Sequence, residues 1–377
     1  MAESLLPLDD ALALLRGALP VPDAPALVAD RDDPALDRSA MDGVALRSAE
    51  GDAPRRLGGT LFAGDDPSRR PVGPGEAVRI MTGAALPPGA DAVVPVERIR
   101  VDGGTVHLDA APRAGDHVRT RASQAREGQE LLPRGTPLNA ARAGLWAQVG
   151  REVPALRRSV VGVASTGDEL TAEPLPHQIR DSNGPMLAAL AHRLGAEAHR
   201  LPSLPDDPTA LEARLRDLGG IRVLLTSGGV SMGQKDHLPA VLEALGARIL
   251  FHKLRLKPGK PMLAALLPHP EGDRVVLGLP GNPLSAYLNA LLFLPVVLAR
   301  LGGVQEPDPW RHGTLDAPVR NPGDRPLLHP CRRTGAALSP LASQGSGDLV
   351  TLARADACAW IPEGGAEPGP VRYLDIL

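Results

Sequence analysis

The sequence predicts a multidomain α/β plus β protein. A central three-layer α/β domain with a mostly parallel sheet is expected to carry a β-rich inserted domain and a small C-terminal β-domain. Three observations predict this. From 158 to about 303, apolar β-prone runs alternate with helical segments, the pattern of a sheet covered on both faces. Short β-prone runs cut by Gly and Pro fill 31–121, and a Pro- and Gly-rich stretch follows 304. At 377 residues the chain exceeds one compact core, and length points to about two to four domains.

In chain order, a short helix is expected around Leu8 to Leu19, stopped by Pro20 and Pro22. In 31–121, Ala77 to Met81 and Ala92 to Val101 read as strands. Asp102-Gly103-Gly104 then turns a hairpin into Thr105 to Leu108. Segments 1–30 and 122–157 form a connecting N-terminal domain in this reading, with a helix at Ala140 to Val149 paired in space with the first helix.

Within 158–303, strands are expected at Val160 to Ala164, Ala196 to Leu201, Val223 to Thr226, Arg248 to Leu256 and Val275 to Leu279. Helices fall at Pro185 to Leu194, Pro208 to Leu218, Asp236 to Leu245 and Pro283 to Leu301. Asn282 is the expected N-cap of the last, with Pro283 at its first position. In 304–377, Ala357 to Ile361 reads as a strand before a Glu363-Gly364-Gly365 turn.

Composition narrows the function. A net charge of -3 and 2% aromatic residues leave neither the basic excess nor the stacking surface of a general nucleic-acid binder. No run approaches the roughly 18 apolar residues of a membrane helix, and the acidic N-terminus does not read as a secretory signal. Two cysteines, Cys331 and Cys358, without metal-ligand spacing favour a reducing, cytoplasmic setting.

The chemistry is expected beyond the carboxyl ends of the parallel strands, where open α/β sheets bind ligands. Three loops leave such ends: Thr166-Gly167-Asp168-Glu169, Thr226-Ser227-Gly228-Gly229 and Leu279-Pro280-Gly281-Asn282-Pro283. Glycines there let backbone N–H groups close on an anion, although turn and capping chemistry explains any one loop taken alone. The run Phe251 to Pro261 adds cations. Read as a strand, it sets Lys253, Arg255 and Lys257 on one face across about 13 Å, the reach of a ligand with two phosphates. Lys260 follows across a turn. The alternative is an edge strand whose lysines discourage pairing. No GxxxxGK[ST] loop is present. Asp236, Glu169 and Asp206 are acids that could hold Mg²⁺ against phosphate oxygens, each with a structural alternative as helix cap or solvated loop acid.

Seven motifs then occur in order: Ser39-Ala40-Met41-Asp42-Gly43, Arg79 to Ala84, Ser165 to Leu170, Asp181-Ser182-Asn183, Thr226 to Ser231, Lys257 to Pro261 and Leu279 to Pro283. Together they resemble the motif series of molybdopterin molybdenumtransferases, the family of bacterial MoeA and the gephyrin E-domain. Gln344 to Asp348 resembles a segment of that family's C-terminal β-domain. The resemblance implies a four-part elongated subunit, a homodimer and a possible transient contact with the molybdopterin adenylyltransferase. It implies Mg²⁺-dependent insertion of molybdate into adenylylated molybdopterin with release of AMP. Asp236 and Glu169 would serve the metal, with Asp206 as the preferred partner of Asp236. Lys253, Lys257 and Lys260 would neutralise charge, and Asp42 and Thr82 would reach in from the dimer partner. Thr226, Ser227, Gly228, Gly229, Asp181, Ser182, Asn183, Pro280, Gly281, Asn282 and Pro283 would line the substrate site. Three positions depart from the pattern: Ala122-Ser123-Gln124 replaces an acidic segment, Gln234 replaces an acid and Val44 an aromatic. The competing readings are the adenylyltransferase itself and a non-catalytic molybdopterin-binding scaffold.

Overall fold

The computed structural model describes residues 5–19, 24–154, 158–167, 169–205, 207–229 and 236–377. Asp168, Asp206 and the run 230–235, which includes Gln234, lie outside the described residues. The chain forms two compact units. One draws on Met1–Asp23, Pro137–Asn139 and Ala155–Leu377, the other on Ala24–Thr136 and Ala140–Pro154.

The first unit is built on a six-stranded sheet. Its order is Glu197–Arg200, Val160–Ser165, Val223–Ser227, Arg274–Leu279, Leu263–Leu267, Arg248–His252. The first four strands run parallel and the last two join antiparallel, so the sheet is mostly parallel as expected. Strand Leu263–Leu267 was not anticipated. The central strands are buried on both faces, and successive side chains enter different cores: Val161, Val163, Val223, Leu225, Val275 and Leu277 enter one, while Leu224, Val276, Leu263 and Ala265 enter another. Opposite pleat faces thus feed two helix layers, which makes three layers in all. Helices Leu8–Ala18, Asn183–Arg193 and Pro283–Gly302 cover one face; Pro208–Arg216 and Leu238–Ala244 cover the other.

Several expectations change in detail. Helix Leu8–Ala18, expected to pair with the helix at 140–149, belongs to a different unit from it. Its buried face (Leu8, Ala11, Leu12, Leu15) instead enters the core of the α/β sheet and packs on Pro283–Gly302 and Arg248–His252. The strand expected from Arg248 to Leu256 ends at His252, because Lys253 adopts a left-handed φ of 80°. The helix expected from Asp236 begins at Leu238, with His237 at the N-cap position and Asp236 one residue before it.

Helix Pro283–Gly302 follows its signals closely. Asn282 is extended, Pro283 takes the first position and Gly303 ends it at a left-handed φ of 65°. By length and apolarity it would pass for a membrane span, contrary to expectation, yet 78% of that window is buried inside the protein. Its apolarity belongs to the core, where each buried Leu or Val contributes about 1.5–3 kcal/mol.

The C-terminal segment closes a five-stranded barrel: Trp310–Leu315, Ala337–Pro340, Leu327–Thr334, Ala357–Ile361 and Gly369–Asp375. Leu328, Cys358 and Leu374 of the barrel join the main α/β core. The second unit centres on another six-stranded sheet, with Ala92–Pro95, Gly43–Leu46, Glu76–Ile80 and Arg55–Leu61 beside the hairpin Ile99–Asp102/Thr105–Leu108. Gly103 and Gly104, both at positive φ, turn that hairpin. The single strand expected over 92–101 is split by a 3-10 turn at Val96–Arg98.

Candidate active site

Parallel register sets Ser165, Ser227 and Leu279 side by side at the carboxyl edge of the sheet. The loops that follow therefore leave together, as the strand pattern implied. Two adjoining cavities open there, of about 700 and about 540 Å³. Glu169, Ile179, Gly228, Gly229, Gly281 and Asn282 line both.

The smaller cavity carries the acids. Glu169, Asp181 and Asp236 line it, with Ser165, Ser182, Asn183, Ser227 and Pro283. Asp181 is engaged structurally. It accepts from Ser165 Oγ and Gly184 N at 2.8 Å, and Arg200 donates to its other oxygen at 2.9 Å. Asn183, at the start of helix Asn183–Arg193, ties the loops to one another. Its Nδ2 donates to Ser227 Oγ at 2.6 Å and to the Gly281 carbonyl at 2.7 Å. Ser227 Oγ donates onward to the Pro280 carbonyl at 3.2 Å. Gly228 has a φ of 92°, and a Cβ there would stand 2.8 Å from the Thr166 carbonyl oxygen. Only glycine lets these two loops approach so closely. Thr226 does not reach the crevice: it is fully buried in the strand, lining neither cavity, and its hydroxyl has no partner among the described residues.

The larger cavity carries the cations. Lys257 and Lys260 line it with Pro258, Gly259 and Pro261, and Pro280, Asn282 and Ser285 face them. The expected cation row holds only in part. Leu254 and Leu256 are buried while Lys257 and Lys260 are exposed. Arg255 is drawn away to Glu363, at 2.6 Å, and Lys253 lines neither cavity. The left-handed turn at Lys253 breaks the strand register on which that row depended.

Sequence reasoning missed the barrel's share. Arg325, His329, Ser343 and Ser346 line the larger cavity, and Gly347 the smaller. Arg325 donates to the Leu256 carbonyl at 3.0 Å, and Ser346 Oγ accepts from Asn282 Nδ2 at 2.8 Å. Burial holds the His329 imidazole below its usual range. The Gly-rich run Gln344 to Asp348 was the one signal available in the sequence. Asp348 caps helix Leu349–Arg354, and hydrogen bonds from Gln344 N and from the Thr351 hydroxyl and amide hold its carboxyl down at about 2.

Asp42 and Thr82 lie in the second unit, bonded to each other. Thr82 N and Oγ1 both donate to Asp42 Oδ1 at 2.7 Å, and these bonds lower the Asp42 carboxyl below its ordinary range. Among the described residues no three His, Cys, Asp or Glu side chains cluster as a self-sufficient metal site.

Known proteins resemble this chain over nearly its whole length. A model of the MoeA N-terminal region (domain I and II) matches residues 10–150, and a probable molybdopterin binding domain matches 162–299. A molybdopterin molybdenumtransferase of Synechococcus elongatus is 38% identical over 296 residues, 74% of this chain and 73% of its own. One from Bacillus subtilis is 34% identical over 375 residues, 93% of this chain and 85% of its own. This chain belongs to the molybdopterin molybdenumtransferase family. It is thereby an enzyme of molybdenum cofactor biosynthesis. The family's fold is shared as well: a moeA protein from Pyrococcus horikoshii OT3 superposes with a TM-score of 0.77 at 23% identity, covering 99% of this chain and 100% of its own. The family model for the molybdopterin binding domain spans all three crevice loops and both cleft lysines, and stops short of the barrel residues.

Proposed function

We propose that this molybdenumtransferase inserts molybdate into adenylylated molybdopterin and releases AMP. The observation that carries the reading is the pairing of two adjoining cavities that share Glu169, the smaller with Asp181, Asp236 and Arg180, the larger with Lys257, Lys260 and Arg325. A pterin phosphate joined to AMP is a polyanion with two ends, and molybdate is a second anion. Together they call for cations on one side and for a site that brings a divalent ion to phosphate oxygens on the other.

Mg²⁺ fits the acidic side. It is commonly held by one or two carboxylates plus substrate phosphates and retained waters, and Glu169 and Asp236 open onto the same cavity as the glycine loops. When bound there, the ion would supply charge neutralisation at the phosphate linkage. The chain's own residues do the remaining work. Gly228 and Gly229 bring backbone close to the anion, Asn183 and Ser227 hold the loops in register, and Lys257 and Lys260 balance charge as AMP departs. The reading includes a homodimer, a cytoplasmic location, and domains at 1–30 with 122–157, 31–121, 158–303 and 304–377.

The test mixes purified protein with adenylylated molybdopterin, molybdate and Mg²⁺ and follows AMP. Molybdate-dependent AMP release is the expected outcome. Absence of release sinks the reading, and adenylylation of molybdopterin from ATP would replace it with the adenylyltransferase.

A further inference from the structure

Helix Pro283–Gly302 is almost wholly apolar where it is buried, apart from Ser285 and Asn289. Asn282, Ser285 and Asn289 recur at the three-to-four-residue spacing that puts side chains on one helix face. The first two line the larger cavity. Asn289 lies beneath it with no exposure at all, and its Nδ2 donates to the Gly259 carbonyl at 3.1 Å. Its Oδ1 is buried without a partner among the described residues. An apolar residue of similar size would remove this orphan acceptor but leave the buried Gly259 carbonyl without its donor, so the amide's one bond ties the helix to the loop above it. The polar side chain at 289 thus serves the loop rather than the packing of its own helix.

Gly259 sits between the two lysines that reach the cavity. It has a φ of 116°, and a Cβ on it would meet Asn289 Oδ1 at 2.5 Å, so loop and amide are in direct contact. The same loop is gripped from the barrel side: Lys257 N donates to the Pro326 carbonyl at 2.9 Å, and Leu328 N donates to the Lys257 carbonyl at 2.7 Å.

We propose that Asn289 is a positioning residue that fixes the height of the Lys257–Lys260 turn over the helix and so places both ammonium groups for anion binding. The inference rests on the reading of this cavity as an anion site. Asn289 touches no ligand; it acts through the lysines.

The test is an Asn289→Leu variant of the full chain, with binding of AMP and of sodium molybdate, each alone, measured by calorimetry. We expect the thermal midpoint to change little, since the orphan Oδ1 disappears while the Gly259 carbonyl loses its donor, and the Kd for at least one anion to rise about tenfold. Lys260→Ala should weaken binding too, and the double variant should be little worse than Lys260→Ala alone, because residues acting as one unit are not additive. Unchanged Kd in a folded Asn289→Leu, or full additivity with Lys260→Ala, overturns the proposal. If the leucine variant does not fold, Asn289→Ser, which keeps a polar group but loses reach, carries the same two expectations for Kd. Loss of the lysines without any effect on either anion would refute the anion-site reading itself, which separates the two failures.

Discussion

Replacing Asn183 by Ala removes two hydrogen bonds that join three loops. The bonds to Ser227 Oγ and the Gly281 carbonyl measure 2.6 and 2.7 Å and are largely shielded from water. At about 1 kcal/mol net each they are worth about 2 kcal/mol together. The Gly281 carbonyl, on an exposed residue, is left to water, while Ser227 Oγ retains its bond to Pro280. Against this, the unpartnered Asn183 Oδ1 disappears, which returns up to about 1 kcal/mol. The balance is a loss of about 1–2 kcal/mol in stability. Activity should fall further than stability, by tenfold or more in kcat/KM, because misplacement of about 1 Å can cost 100-fold. Urea unfolding followed by circular dichroism measures the first effect and molybdate-dependent AMP release the second. A stability loss below about 0.5 kcal/mol with unchanged kcat/KM would refute the argument that Asn183 braces the crevice.

Other substitutions probe different links. Gly228→Ala forces a side chain into a left-handed φ, at about 1–2 kcal/mol, and against the Thr166 carbonyl at 2.8 Å; Gly281→Ala meets only Gly228 Cα at 3.8 Å. Thermal unfolding should rank Gly228→Ala well below Gly281→Ala, and the reverse order would contradict the packing described. Asp348, with its folded pKa depressed to about 2 against an ordinary 3.8, stabilises the fold fully above the ordinary value and loses that contribution as pH falls through about 2. The stability gap between the protein and Asp348→Ala should therefore stay constant from neutral pH down to about pH 5 and close on further acidification, as read from pH-dependent unfolding. Cys331, pushed up to about 11 by burial, and Cys358, raised further by near-complete burial, should resist iodoacetamide at pH 8 in the folded protein. Both should react in urea; rapid labelling of the native state would show the barrel interior to be open.

The α/β layer was legible in the sequence because continuous apolar runs, buried on both faces, alternate with helices that carry their own start signals. Asn282-Pro283 marked, with no help from tertiary contacts, the start of a helix that runs 20 residues. The crevice was legible for a similar local reason. Glycine-rich loops after apolar runs mark carboxyl ends of strands, and parallel register brings such ends to one edge. The cation row failed where local reading had no purchase. Alternation at Leu254 and Leu256 persisted, but the left-handed turn at Lys253 and the pairing of Arg255 with Glu363 depend on partners far along the chain.

Residue types and spacing thus determined the layers, the three glycine-containing loops at the carboxyl edge and the family to which the chain belongs. Tertiary structure alone decided which side chains face the cavities. Thr226 turned into the sheet, while Arg325 and His329 reached the larger cavity from a part of the C-terminal segment that no motif marked. Asn183 and Asn289 became struts only because hydrogen bonds act over about 3 Å, a distance that sequence separation does not measure.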